Sequence, residues 1–425
     1  AIPGEIDAVV PAPAGQEAQP HPAASKIEGG SKELQELREA VMPSPVGDRF
    51  FDHWPADLAA LEPGDLIATR DVTQVAGFLV TVPLRSARQI KFRTTDATGG
   101  PLFGTATLFV PQKAWRGPGA AADPRQQHTD RRAGDDLYTG LHVLPRVQQG
   151  HQQHRPVPAA DPAGARSWLC GDRARPHGRR MAYAEPYVGA HVVLDSVRAA
   201  ARLDPIEFGR GPIAMHGYSG GAIATNGGAA KLASTYAPDQ AGRFVGAAIG
   251  GVPADYRVLA GGAMNANLAS GGVFHSAMLG VARERPEILG GMSNHVARWL
   301  ATSGLRDLCT GEMGILGFSH LPTQLLSLDP RPVPFTGRDH IFDVTSMSGY
   351  RATMPPLFIY QGTYEWWLPA TQARALFAEQ CELGATAIYR EYPGEHITTV
   401  FEAFPDVATW LDRRLQGIPA TNECR

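Results

Sequence analysis

At 425 residues the chain is long enough for one large α/β domain with an inserted subdomain, or for two domains. A formal charge of −3 provides no overall basic field, which disfavours nucleic-acid binding for the chain as a whole. Hydrophobic residues make up 43% and supply a core, yet no run reaches a membrane span, so we expect a soluble protein without an integral membrane segment.

The first thirty residues are rich in Pro, Ala and Gly and lack periodicity, and they predict a flexible lead-in. The chain begins with Ala1 and no signal-peptide pattern precedes the lead-in. We interpret this as the mature form of a secreted protein, although a trimmed chain would begin in the same way. Helical and turn signals continue to about residue 65. The segments 89–98 and 102–111 then alternate like two paired antiparallel strands.

The stretch from 113 to 180 differs from the rest. It holds 11 arginines and 5 of the 14 histidines, and it contains almost no run that could form a buried strand. Three interpretations remain open: a disordered basic insertion, a nucleic-acid or anion-binding arm, and a reading-frame error in the sequence of a GC-rich gene. We favour the frame error, because an interpretable pattern returns abruptly at Met181 and out-of-frame GC-rich codons yield this bias toward Arg, His, Pro and Ala. The stretch is weak evidence for a binding arm, since it has charge but little aromatic interleaving.

A helix predicted at 190–201 leads into the most informative motif, Gly217-Tyr218-Ser219-Gly220-Gly221. A short apolar run precedes the motif and small residues follow it, which predicts a strand, a sharp turn and a helix. This is the context of a nucleophile elbow, in which the turn exposes the serine Oγ. The amide of Gly220 would lie at a helix N-terminus, where it can stabilise an oxyanion.

Two later segments supply partners for this serine. A buried-strand pattern at 356–361 ends before Glu365, and another strand pattern leads to His396. The order Ser219, Glu365, His396 is the nucleophile, acid, histidine order of α/β-hydrolases. His396 would take and return the serine proton, and Glu365 would orient the imidazole. A loop glutamate is often only solvated, and the alternative acids are Asp343 and Asp406, of which Asp406 breaks the expected order.

A strand predicted at 244–253 is followed by about ninety residues before the acid strand, far more than a plain βα connection needs. Helical stretches at 272–282 and 294–302 predict a helical cap over the active site. The sequence therefore predicts an α/β-hydrolase with a central, mostly parallel sheet. Its core would comprise residues 31–252 and 346–425, and its cap residues 253–345.

Four cysteines are too few for a disulfide scaffold but fit one or two bridges in a secreted enzyme. We expect a bridge between Cys381 and Cys424; four unpaired thiols are the alternative, and these would include Cys170 and Cys309. No metal-ligand spacing, phosphate loop or dinucleotide fingerprint is present. Catalysis without metal or cofactor is therefore expected.

The chain resembles the secretory lipases of the fungal lipase A type and their actinobacterial relatives. The resemblance rests on the strand pair at 89–110, on the segments at 181–187 and 217–222, and on those at 359–369 and 392–397. It implies an α/β-hydrolase with a helical cap that acts on carboxylic esters including triacylglycerols, with Ser219 as nucleophile and His396 as its histidine.

This chain departs from the family at two places. Glu365 stands where the family has aspartate, and Trp366 and Trp367 stand where small branched residues are expected. A second local shift of the reading frame would also produce this difference. The first oxyanion donor would lie within 112–180, and the resemblance places a partner for Cys309 in the same region.

The sequence thus predicts a secreted serine ester hydrolase, most simply a triacylglycerol lipase that works through an acyl-enzyme on a lipid or other ester. Two alternatives stay open. One is a serine peptidase of the prolyl-oligopeptidase kind, whose elbow also takes a second glycine after the serine. The other is a weakly active or non-catalytic hydrolase-fold binding protein.

Overall fold

The computed structural model describes residues 2–13, 21–76, 83–112, 178–261, 268–288, 294–308, 338–349 and 355–424. Cys170, Cys309 and the basic stretch from 113 to 177 lie outside these ranges. Within them, the α-helices are α1 Ile2–Val9, α2 Lys32–Ala40, α3 Arg49–Asp52, α4 Thr73–Ala76, α5 Pro186–Leu203, α6 Gly220–Ala222, α7 Lys231–Tyr236, α8 Pro238–Ala241, α9 Tyr256–Gly261, α10 Leu268–Glu284, α11 His295–Thr302, α12 Arg338–Thr345, α13 Ala370–Glu382 and α14 Thr399–Leu415. Short 3₁₀ helices cover Leu58–Ala60 and Gly304–Asp307, and Ile223–Ala230 is π-helical.

The first sheet is antiparallel, with strand order β1-β2-β3. Its strands are β1 Leu66–Asp71, β2 Leu84–Thr95 and β3 Pro101–Pro111. The predicted strand pair is confirmed, since β2 and β3 pair from Leu84 opposite Pro111 to Thr95 opposite Pro101. Asp96 closes the connection by accepting the backbone N–H of Thr98 and of Gly100, a local bond that favours the turn.

The second sheet is parallel, in the order β4-β5-β6-β7. Its strands are β4 Ile213–Tyr218, β5 Phe244–Gly250, β6 Leu357–Gly362 and β7 Ala387–Tyr392. The three strands predicted around the elbow, the acid and the histidine are therefore present. Because the strands are parallel, their carboxyl ends lie at one edge, where ligand sites form in open α/β sheets.

Both faces of the parallel sheet are covered, which is why its strands are almost wholly apolar. Alternate residues of β4 face opposite sides, since Ile213 and Met215 pack with α5 while Ala214 and Tyr218 pack with α14. The α/β architecture predicted from the sequence is confirmed. Across the described ranges, none of the helices is long and apolar enough to cross a membrane.

Part of the predicted flexible lead-in is helical. In α1 the carboxylate of Asp7 accepts the backbone N–H of His295, and the Trp299 indole N–H donates to the Pro11 carbonyl. The sequence did not indicate this helix, because contacts with α11 stabilise it and no local pattern encodes them. That residues 1–30 form a flexible lead-in stays a prediction.

The end of the basic stretch is packed into the fold. Arg179 pairs with Asp52 at 2.8 Å, and the buried Arg180 pairs with Asp96 at 3.1 Å and Glu284 at 3.0 Å. Arg180 thus connects the antiparallel sheet to α10, and carboxylates balance both buried guanidinium groups. The three interpretations of the stretch from 113 to 180 stay predictions.

The cap predicted at 253–345 contains the described helices α9 to α12. Val281 and Ala282 of α10 share an apolar cluster with Leu34 and Leu37 of α2. The helix α2, assigned from sequence to the core, thus packs on a predicted cap helix. That residues 253–345 act as a separate cap stays a proposal.

One predicted disulfide is confirmed. Cys381, in the last turn of α13, is bonded to Cys424 in the C-terminal tail. The bridge closes a loop with a sequence separation of 43, so it holds the tail against β7. The other two cysteines are outside the described residues.

Candidate active site

Ser219 stands in the turn between β4 and α6 with φ 54° and ψ −120°. A side chain at positive φ is strained, and such strain persists only where the surrounding structure enforces it. A Cβ on Gly217 would lie 2.3 Å from the Gly221 carbonyl oxygen. Glycine at 217 is therefore required for the close approach of strand and helix that holds Ser219 in this conformation.

The structure brings together the three residues selected from the sequence. The Ser219 hydroxyl lies 2.9 Å from His396 Nε2, and His396 Nδ1 lies 2.6 Å from Glu365 Oε2. The His396 side chain is 1% exposed and that of Glu365 is fully buried. With the proton on Nδ1, the imidazole donates to Glu365 and offers Nε2 as acceptor to the serine, which is the arrangement of a nucleophile, base and acid.

The second carboxylate oxygen of Glu365 is also bound. Oε1 accepts the backbone N–H of Trp367 at 2.9 Å and that of Leu368 at 3.2 Å. These two N–H donors hold the carboxylate of Glu365 in place beside His396. The two alternative acids are engaged elsewhere, since Asp343 pairs with Arg257 and Asp406 accepts the Tyr392 hydroxyl.

The loop that carries His396 is tied to the nucleophile strand by a residue that sequence reasoning missed. Tyr218 is buried and its hydroxyl donates to the His396 carbonyl at 2.7 Å. Because Tyr218 directly precedes Ser219, one dipeptide positions both the nucleophile and the backbone of the base. The sequence shows Tyr218 inside the glycine motif. It does not show this contact, because the two residues are 178 positions apart.

The candidate oxyanion donor Gly220 opens α6, where the first N–H groups of a helix have no partner within it. A Cβ at this position would lie 2.7 Å from Tyr183 Cε2, so the Tyr183 ring closes over the backbone here. The segment in which the first oxyanion donor was expected lies outside the described residues from 113 to 177.

An apolar cavity opens from Ser219. Helices α9, α10 and α12 and the loop after β6 form its walls, and no charged side chain is among the described residues that line it. The lining residues include Tyr183, Ile223, Tyr256, Leu259, Val273, Phe274, Met278, Ile341, Phe342 and Trp367. A cavity with this lining suits an apolar group next to the serine.

A buried ion pair lies next to this cavity. Glu185 caps α5 by accepting the Val188 N–H at 2.9 Å, and it pairs with Arg285, after α10, at 2.9 Å. Burial raises the pKa of Glu185 to about 7, although Arg285 acts in the opposite direction. Ala184, the residue before Glu185, lines the cavity. The ion pair therefore connects the start of α5 to the end of α10 beside the cavity.

Comparison with known proteins gives consistent results. The secretory lipase family model matches residues 173–321 and 335–423, more than half of the chain. The chain is 28% identical to a probable trichothecene esterase, SAT6, of Stachybotrys chartarum, over 90% of this chain and 79% of that protein. It is 24% identical to lipase 10 of Candida albicans, over 90% and 83%. The fold matches that of Candida antarctica lipase A in its closed state, with a TM-score of 0.65 at 20% identity over 90% of this chain and 89% of the other.

Proposed function

This chain belongs to the secretory lipase family and is a carboxylic-ester hydrolase, and from that premise we propose that it is a secreted triacylglycerol lipase with Ser219, His396 and Glu365 as its catalytic triad. One observation carries the proposal: a hydrogen-bonded serine, histidine and carboxylate stand at the wall of an apolar cavity.

In the proposed reaction the ester carbonyl carbon lies against Ser219 Oγ. His396 Nε2 takes the hydroxyl proton as Oγ attacks, and the Gly220 N–H stabilises the negative charge that develops on the carbonyl oxygen. The alcohol leaves with the proton from Nε2, and an acyl-enzyme remains on Ser219. A water molecule then attacks the acyl carbon by the same proton transfers and releases the fatty acid. Glu365 stays ionised and stabilises the imidazolium at both stages.

The cavity supports a long acyl chain as the group that is bound. Its walls carry almost only aliphatic and aromatic side chains, and burying such a chain gains about 0.8 kcal/mol per methylene. The relatives named as trichothecene esterases make a trichothecene ester the informative second substrate.

Secretion is proposed on two grounds: the family is a secretory one, and the Cys381–Cys424 bridge fits an oxidising compartment. A lipid ester at a lipid–water interface is the proposed partner, and no nucleic acid is proposed.

The test compares the purified full chain with its Ser219→Ala variant on three substrates: emulsified triolein, a trichothecene ester, and a proline-containing peptide anilide. We expect fatty-acid release from triolein, and a loss of about 10⁶-fold in the variant. Cleavage of the anilide instead would support a peptidase. Equal, slow turnover by both proteins would support a ligand-binding protein.

A further inference from the structure

Trp367 occupies the corner where His396 meets the cavity. Its ring centroid is 4.9 Å from that of His396, with the two rings at 63°, edge to face. The same side chain lines the cavity together with Ser219 and Leu368. An indole therefore stands directly beside the place at which an ester must bind to be attacked.

Several contacts hold this indole in place. The backbone N–H of Trp367 donates to Glu365, and its ring stacks on Trp366 with centroids 5.4 Å apart and planes at 6°. It also packs against the buried cluster that contains Leu259 and Val273. Moving the ring aside would break packing on both faces, so it acts as a fixed wall.

The position of this wall has a consequence for substrate choice, which rests on the proposed function. The acyl carbon must come within bonding reach of Ser219 Oγ, itself 2.9 Å from His396 Nε2. We infer that substituents on the next carbon of the acyl group face Trp367, and that Trp367 is therefore a specificity-determining residue that selects acyl groups unbranched at the carbon next to the carbonyl.

The test uses two esters with the same leaving group, p-nitrophenyl hexanoate and p-nitrophenyl 2-methylhexanoate. Wild type, Trp367→Ala, Trp367→Phe and Tyr364→Ala are compared by the ratio of kcat/KM for the branched ester to that for the linear ester. Tyr364 is the control, because it is an exposed aromatic residue of the same loop and does not line the cavity.

We expect the ratio to rise by about tenfold or more in Trp367→Ala, because one methyl group at a tight wall changes selectivity by about 10-fold to 200-fold. A smaller rise is expected in Trp367→Phe, and a change within about twofold in Tyr364→Ala. If Trp367→Ala does not fold, Trp367→Phe, checked by circular dichroism, carries the same comparison.

Two results would overturn the inference. An unchanged ratio in both Trp367 variants, whatever the absolute rates, would mean that the indole only supports His396. A rise confined to tert-butyl over n-butyl hexanoate would place Trp367 on the alcohol side instead. Failure of the proposed function is distinguishable, because wild type would then not hydrolyse the linear ester, or Ser219→Ala would hydrolyse it equally well.

Discussion

Replacing Glu365 with glutamine tests the least expected member of the site. In the structure Glu365 Oε1 accepts two backbone N–H groups, from Trp367 and Leu368, while Oε2 accepts from His396 Nδ1. A glutamine must keep its carbonyl oxygen on the two N–H donors, and its NH₂ group then faces Nδ1. The imidazole is forced into the tautomer with the proton on Nε2, which cannot accept the serine proton.

The size of this effect follows from the chemistry of the wrong tautomer. In serine proteases the acid-to-amide change lowers kcat by about 10⁴-fold, or about 5.5 kcal/mol of transition-state stabilisation. We expect a loss of the same order in Glu365→Gln, because the carboxylate is fully buried and its 2.6 Å contact with His396 is not shared with solvent. A folded variant is expected, since the backbone N–H groups keep an acceptor.

The assay is the initial rate of p-nitrophenyl butyrate hydrolysis, with circular dichroism to check folding. Glu395→Gln is the matched control, because Glu395 directly precedes His396 but bonds to the N–H groups of Ile397 and Thr398 rather than to the imidazole. It is expected to stay within about tenfold of wild type. A Glu365→Gln variant that also stays within tenfold would refute the assignment of the acid.

Three further predictions follow from particular contacts. Tyr218→Phe loses the bond to the His396 carbonyl and is expected to lower kcat by about tenfold with KM unchanged, an effect worth about 1 kcal/mol; a change in KM alone would contradict this positioning role. Replacing Cys381 and Cys424 by serine opens a loop with a sequence separation of 43. The free energy of unfolding in urea is expected to fall by about 4 kcal/mol, from the chain entropy of the opened loop. A fall below about 1 kcal/mol would show that the bridge hardly constrains the unfolded chain. Burial raises the pKa of Glu185 from 4.5 to about 7, so its neutral form favours the folded state, and this stability is present below pH 4.5 and lost as pH rises through about 7. Glu185→Gln is therefore expected to lose less unfolding free energy than wild type between pH 5 and 8. Parallel losses in the two proteins would contradict Glu185 as the source of this pH dependence.

The sequence predicted the elements that depend on local pattern. The glycines around Ser219 encode a tight turn that only small residues permit, and the apolar runs before Glu365 and His396 are those of buried parallel strands. These three segments were enough to predict the α/β fold and to select residues that the structure brings within hydrogen-bond distance.

Other features depend on contacts that no local pattern encodes. The hydroxyl of Tyr218 meets a carbonyl 178 residues away, and the helix α1 forms where α11 supplies its partners. The indole of Trp367, which from the sequence looked like a departure from the family, forms a cavity wall. Tertiary packing decides such positions, and propensity or periodicity does not report on it.

The most direct test of the central claim is covalent titration of the folded chain with a fluorophosphonate, followed by mass spectrometry of the peptide that contains Ser219. An activated serine attacks phosphorus and expels fluoride. We therefore expect one adduct per chain, on Ser219, with a matching loss of ester hydrolysis. Neither labelling nor inhibition is expected in His396→Ala. Full inhibition with the adduct on another residue, or hydrolysis that persists once Ser219 is labelled, would contradict Ser219 as the catalytic nucleophile.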